Sequence, residues 1–334
     1  MSGAPGNLPV SYAARTVGHG TGDGPGARPI EHSNGDTVNR KKLVIIAAPT
    51  GGNAMDREGA HVPVTPEEIA EESVRCREAG AAVIHIHARD RVTKQASGDL
   101  AVFADIIRRI RSKCDVLIQT TTGIGIRSDE TRPGDEDRLG LLSVQPPQDL
   151  ATIPPGSWDI WRPGGSSAYK PDATYHNTPA FLRKNIAAIL ARNIPWEMEI
   201  ADTGFLSNAL RLAESGVFDR HARSFWLDYC MGFGAMPATA RHLVFAQEEG
   251  ARLFPQAKWA VLATDRDQFP MNTLGVAMGC DIVRVGFEDN IYLPDGRPAR
   301  HNHELVAAMA RIARDFGREP ASTAEAREIF GISG

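Results

Sequence analysis

The sequence predicts an α/β fold, a (β/α)8 barrel, on three observations. Eight short apolar, β-branched runs alternate with longer segments of helical period between Leu43 and Phe316, the pattern of a parallel sheet with crossover helices. The stretch is close to the ~250 residues usual for such a barrel. Polar residues suited to chemistry gather at the C-terminal ends of the runs, where these barrels carry their active sites. A doubly wound open sheet is the alternative reading of the same alternation.

The first strand is expected over Leu43–Ala48 and runs into Pro49-Thr50-Gly51-Gly52-Asn53, a turn open enough to cradle an anion. A helix over Thr65–Ala79 follows, with Thr65 as N-cap, Pro66 at the first helical position and acids in the first turn. The second strand, Ala82–His87, carries His85 and His87 at its end. Helix Leu100–Ser112 leads to strand Val116–Thr121, which closes in Thr120-Thr121-Thr122-Gly123. A short helix around Asp135–Leu142 and a weak strand Leu150–Ile153 come next. Helix Pro179–Ala191 precedes strand Trp196–Ile200, in which Glu197 and Glu199 alternate with apolar residues. Helix Thr203–Ser215, strand Ser224–Tyr229, helix Ala238–Glu249, strand Trp259–Ala263 and helix Met271–Met278 continue the pattern. Strand Ile282–Phe287, ending in Glu288-Asp289-Asn290, and helix Asn302–Phe316 complete it.

Residues 1–40 differ in kind, being rich in Gly, Pro, Ser and Asn with few large apolar side chains, and are expected to form a flexible or surface-wrapping extension. The rest, 41–334, is expected to be a single catalytic domain. A composition of 42% hydrophobic and 23% charged residues is that of an ordinary soluble chain. Its formal charge of −4 offers no basic footprint for nucleic acid and no polybasic patch for a membrane surface. No apolar run approaches the length of a bilayer span, and no apolar signal core follows the N-terminus. Cys76, Cys114, Cys230 and Cys280 are far apart and lack CxxC spacing, which points to reduced thiols in a cytoplasmic protein. Small-molecule chemistry is the expectation.

Side chains in a strand repeat every second residue, so His85 and His87 face the same side. Two imidazoles make half a metal site, because a catalytic zinc takes three protein ligands and an open position. Glu288, ending another inward-facing strand, is the candidate third ligand. Two histidines and a carboxylate also suit iron, cobalt or manganese. Polar groups aimed into a barrel are costly unless paired or metal-bound, although Glu197 and Glu199 could form an ion-pair network with Arg284, and Thr120–Thr122 could be β-formers alone.

Five motifs carry a family resemblance: Ala47-Ala48-Pro49-Thr50-Gly51, Pro66-Glu67-Glu68, Ala79-Gly80-Ala81-Ala82-Val83-Ile84-His85-Ile86-His87, Ile118-Gln119-Thr120-Thr121-Thr122-Gly123 and Arg284-Val285-Gly286-Phe287-Glu288-Asp289-Asn290-Ile291. From Leu43 to about Ile329 the chain resembles the β-keto acid cleavage enzyme family. The resemblance implies a zinc-dependent TIM barrel, commonly a homotetramer, with one Zn2+ per subunit. It implies exchange between a β-keto acid and acetyl-CoA, giving acetoacetate and a new acyl-CoA. His85, His87 and Glu288 match the family's metal ligands, and Arg284 and Asp289 its catalytic pair. Thr121 takes the place of a supporting hydroxyl residue, and Glu199 matches a glutamate of the fifth strand. Thr152, Thr122, Arg266 and Gln268 fall at substrate-facing positions. Asn53 stands where the amine-specific member has an acid that binds the substrate ammonium. A neutral amide cannot neutralise a buried ammonium, so a non-cationic side chain is expected. Pro154 also replaces an asparagine, and Asp265-Arg266-Asp267-Gln268 departs from the family's usual Gly-Arg opening.

Two other readings compete. A metal-dependent hydrolase of the amidohydrolase kind also uses HxH in a barrel, but ends its first strand with the pair, whereas here it ends the second and His176, His221, His242, His301 and His303 lie away from strand ends. A metal-stabilised scaffold would close its zinc with four protein ligands, mostly Cys.

Overall fold

The computed structural model describes residues 41–52, 59–124, 134–159, 174–232 and 236–332. The extension expected over 1–40 and the position of Asn53 lie outside the described residues. Eight parallel strands close into a barrel: β1 Val44–Ala47, β2 Val83–Ile86, β3 Leu117–Thr120, β4 Leu150–Ile153, β5 Trp196–Ile200, β6 Phe225–Met231, β7 Lys258–Ala263 and β8 Ile282–Val285. Each pairs with its neighbours in chain order, and β1 closes on β8 with Val44 opposite Ile282.

The intervening helices are α1 Pro66–Ala79, α2 Leu100–Lys113, α3 Asp135–Gly140, α4 Pro179–Leu190, α5 Thr203–Glu214, α6 Ala240–Leu253, α7 Gln268–Met278 and α8 Asn302–Asp315. The start of α1 follows its local chemistry. The Thr65 hydroxyl accepts from Glu68 N at 3.2 Å, while Glu68 Oε2 accepts from Thr65 N at 2.8 Å, a reciprocal capping box.

The period-two rule sorts the strand residues into two environments. Ile45, Ala47, Ile84, Ile118, Val283 and Val285 pack outward with α1, α2 and α8, and Met198, Ile200, Leu227 and Tyr229 pack outward with α4–α6. Val44, Ile46, Val83, Leu117, Leu150, Trp226 and Ile282 form a separate apolar cluster inside the lower barrel. One inward step further along the strands, the residues are His85, Gln119, Thr152, Glu197, Asp228 and Arg284. All six are buried. The interior is thus apolar at its N-terminal end and polar at its C-terminal end.

Differences from expectation lie mainly at the element ends. β2, β3 and β8 stop one or two residues early, so His87 and Thr121 sit at loop starts. Gly286 turns the chain there, at φ +145°, and a Cβ on it would stand 2.2 Å from Ala48 O. Helix α7 begins at Gln268 after a 3-10 turn over Asp265–Asp267. Two small antiparallel pairs, Ala88–Arg89 with Ala96–Ser97 and Trp158–Asp159 with Thr174–Tyr175, decorate the loops. A further helix, α9 Thr323–Phe330, was not anticipated. Its Ala326 and Phe330 join the lower cluster, with the Phe330 ring 4.8 Å from that of Trp226, so it plugs the N-terminal mouth. All four cysteines are unbridged, and no helix among the described residues is long and apolar enough to cross a membrane.

Candidate active site

His85, His87 and Glu288 converge at the C-terminal mouth of the barrel, each offering a ligand atom within 4.8 Å of the others'. Glu288 Oε1 lies 3.2 Å from His87 Nε2, and Oε2 lies 3.6 Å from His85 Nε2. Two atoms each about 2.05 Å from a tetrahedral zinc stand about 3.3 Å apart, so these separations suit one small cation. The donor set also fits. Burial and the nearby Arg284 push His85 down to about 3, leaving the neutral imidazole that a metal requires. Burial alone would raise the Glu288 carboxyl, but Arg284 and the two histidines hold it well below the usual carboxylate range. Among the described residues, His87 Nδ1 has no hydrogen-bond partner and its Nε2 meets only the Glu288 carboxylate, as an ion-pair contact without hydrogen-bond geometry, an arrangement that a coordinated cation would relieve.

Backbone geometry brings Glu288 into place. Its amide donates to Ala48 O at 3.1 Å across the β1–β8 seam. Asn302 clamps the same seam, its Oδ1 accepting from Phe287 N at 2.7 Å and its Nδ2 donating to Pro49 O at 3.2 Å. Gly51 lies against the Glu288 side chain, and a Cβ there would come within 2.6 Å of Glu288 Cγ. Arg89, itself buried, donates to Gly51 O from Nε and Nη2 at 3.1 and 2.8 Å. Gly51→Ala is therefore expected to swing Glu288 away from the histidines and weaken metal binding by about tenfold or more, a loss read by titration against a competing chelator.

Arg284 is the electrostatic hub. Its Nε and Nη2 fork onto Asp289 at 2.8 and 3.2 Å, Nη2 also reaches Glu288 Oε1 at 2.9 Å, and Nη1 lies 3.9 Å from Glu199. Burial would lower the guanidinium, yet Asp289, Glu288 and Glu199 together raise it well above its ordinary value. Even with Glu197 and Glu199 held protonated by burial, the carboxylates of Glu288, Asp289 and buried Asp228 outnumber this one guanidinium. Such an excess of negative charge favours a bound divalent cation.

The comparisons with known proteins follow the same line. The family described as beta-keto acid cleavage enzyme matches residues 42–332. The chain is 34% identical over 294 residues to the 3-keto-5-aminohexanoate cleavage enzyme of Fusobacterium nucleatum, covering 87% of this chain and 98% of that protein. The chain belongs to the β-keto acid cleavage enzyme family. It is also 30% identical over 291 residues to the 3-oxoadipate:acetyl-CoA acetyltransferase of Cupriavidus necator, covering 86% of this chain and 94% of that one. Among solved structures, the apo structure of ObcA shares the fold at TM-score 0.67 and 19% identity, over 81% of this chain and 65% of that one.

The remaining residues singled out in this β-keto acid cleavage enzyme homologue fall into two groups. Near the hub, the Thr152 hydroxyl lies beside Glu199, and Thr122 Oγ1 donates to Thr152 O at 2.8 Å. The Thr121 hydroxyl shapes its own turn, accepting from Gly123 N at 2.7 Å and donating to Gly123 O at 3.0 Å. Arg266 and Gln268 are also turned to protein partners. Arg266 stacks 3.9 Å over the Tyr292 ring and donates to Gly296 O at 3.3 Å. Gln268 Oε1 accepts from Asn290 Nδ2 at 3.3 Å.

Sequence reasoning missed Arg138. It donates to Thr122 O, His176 O, Tyr175 Oη and Asn177 Oδ1 and lies 3.9 Å over Phe181. It thereby ties the β3 loop to the Tyr175–Asn177 segment, the wall beside Thr122. A short loop helix gives no periodic signal for such a buried cation.

Glu199 has its carboxyl raised to about 8, first by burial and then by the neighbouring Glu197 carboxyl. Between the ordinary value of 4.5 and about 8 the folded chain holds a proton that the unfolded chain has lost, so stability falls as pH rises through that window. Thermal melts of the metal-free protein from pH 5 to 9 are expected to show this decline, and Glu199→Gln is expected to flatten it.

Proposed function

We propose that this protein is a zinc-dependent acyltransferase that condenses a β-keto acid with acetyl-CoA and releases acetoacetate and a new acyl-CoA. The observation that carries the reading is the His85–His87–Glu288 cluster set directly against the Arg284–Asp289 fork. Relatives named for acetyl-CoA-dependent transfer support CoA as the carrier. His85, His87 and Glu288 would hold the zinc. When bound, zinc supplies Lewis-acid stabilisation of the negative charge that develops on the substrate oxygens.

The chain's own residues account for the proton and the positioning. Asp289, aligned by the bidentate Arg284 fork, takes a proton from the methylene between the ketone and the carboxylate. The methylene carbon attacks the acetyl-CoA carbonyl, a C–C bond forms, the C–S bond breaks and the CoA thiolate departs. That thiolate adds to the former ketone carbon of the substrate. The bond between this carbon and the old methylene then breaks, leaving acyl-CoA and an acetoacetate carbanion, to which Asp289 returns the proton. The Glu199 carboxyl, kept protonated at neutral pH by burial, donates to the oxyanion of each addition. Thr122 and Thr152 shape the wall on that side.

The substrate follows from chemistry, not from the relatives' names. Asn53 in place of an acid selects against an ammonium-bearing chain, so a neutral, hydroxylated or anionic β-keto acid is the preferred partner. Zinc-loaded protein incubated with acetyl-CoA and a panel of β-keto acids, read by mass spectrometry, is expected to yield one new acyl-CoA with an equivalent of acetoacetate. A preference for 3-keto-5-aminohexanoate would overturn the assignment of Asn53. Bound zinc with no acyl-CoA from any acid would instead favour the hydrolase reading.

A further inference from the structure

Three buried polar side chains behind the metal ligands are not accounted for by the reaction: Gln119 on β3, Glu197 on β5 and Asp228 on β6, at 0% exposure each. They are not scattered. His85 Nδ1 stands 2.9 Å from Gln119 Oε1. Because an amide oxygen only accepts, His85 must carry its proton on Nδ1, which leaves the Nε2 lone pair facing Glu288 and the metal position. Gln119 Nε2 in turn donates to Glu197 Oε2 at 2.5 Å. That bond holds the amide with its oxygen toward the histidine.

The far end explains why the chain runs in one direction. Neither Glu197 Oε1 nor either Asp228 oxygen meets an N–H or hydroxyl donor among the described residues, yet the two carboxyls face one another. A proton on Glu197 Oε1, donated to one Asp228 oxygen, pairs the two carboxyls. Burial and the Asp228 charge push the Glu197 carboxyl well up, so Glu197 is the partner that holds the proton. Arg284 supplies the nearby positive charge that tolerates the remaining anion.

We propose that Gln119, Glu197 and Asp228 form a one-way hydrogen-bond relay that positions His85. In it, His85 Nδ1–H donates to Gln119, Gln119 to Glu197, and Glu197 to the Asp228 carboxylate. Each bond fixes the donor sense of the next, and the buried anion at the end sets them all. The relay locks the His85 tautomer and makes its Nε2 a better electron donor, as outer partners of metal-bound histidines do. All three are positioning residues, since none is placed to touch substrate. The proposal rests on the zinc reading above for its purpose, but not for its geometry.

Two measurements separate them. In metal-free protein labelled with 15N-histidine, long-range 1H–15N spectra, assigned by difference with His85→Gln, are expected to show His85 as the Nδ1–H tautomer. Gln119→Leu is expected to lose that preference. Zinc affinity, measured against a competing chelator, is expected to fall about 10–100-fold in Gln119→Leu and in the same direction in Asp228→Asn, which keeps the side-chain volume and removes the anion. If Gln119→Leu does not fold, Asp228→Asn carries the affinity test. An Nε2–H tautomer in the wild type, or both variants binding zinc within about twofold of it, would overturn the relay. A wild type that binds no zinc but shows the Nδ1–H tautomer refutes the zinc reading and leaves the relay standing.

Discussion

His85→Ala is expected to remove the bound metal and, with it, all measurable acyl transfer. The side chain supplies one of three converging ligand atoms, and those left, His87 Nε2 and Glu288, hold only two positions. Structural zinc held by four protein ligands has an apparent binding free energy of about 10–16 kcal/mol, an equal share of roughly 3 kcal/mol for each ligand. On that scale, losing one protein ligand of this site removes roughly 3 kcal/mol or more. Zinc affinity, and turnover at limiting zinc, should fall together, by at least about a hundredfold. The fold should survive with a modest loss, because the deletion also orphans Gln119 Oε1, at a cost of about 1–3 kcal/mol. Elemental analysis of the purified variant, a thermal melt and a rate measurement check these three parts separately.

Asp289→Asn is expected to have the opposite signature: metal retained, turnover lost. Asp289 lies outside the ligand cluster but accepts both arms of the Arg284 fork. The amide cannot take the methylene proton, and a positioned base contributes about 10²–10⁴ to the rate, which is the expected fall in kcat. The fold is spared because Arg284 keeps its contact with Glu288 at 2.9 Å. Asp289→Ala is predicted to be worse for stability, since breaking a buried ion pair costs about 3–5 kcal/mol. A variant that keeps near-normal kcat would assign the base elsewhere, and Glu199 would be the next candidate.

Much of the site could be read in the sequence because barrel strands alternate inward and outward. His85 and His87 advertise themselves by that spacing, and Arg284 with Glu288 and Asp289 by their place after an apolar run. The same rule, applied backward along β3 and β6, reaches Gln119 and Asp228, inward positions directly above Leu117 and Trp226. A single glutamine among β-formers, or a single aspartate between Leu227 and Tyr229, carries little weight until the partner across the barrel is known. Closure of the sheet provides that partner, and closure is not a local property. Arg138 and Arg266 were harder for another reason. Their partners are backbone carbonyls and aromatic faces on distant loops, which leave no spacing to detect. Helix α9 is short, and its role as a plug depends on Trp226 lying inside the lower barrel.

The most direct test of the exchange reaction is the fate of the acetyl carbonyl carbon. With [1-13C]acetyl-CoA, an accepted β-keto acid and the zinc-loaded protein, the label is predicted at the ketone carbon of acetoacetate, with none in the new acyl-CoA. Label recovered only as acetate or unreacted acetyl-CoA, with the β-keto acid consumed, would contradict the account.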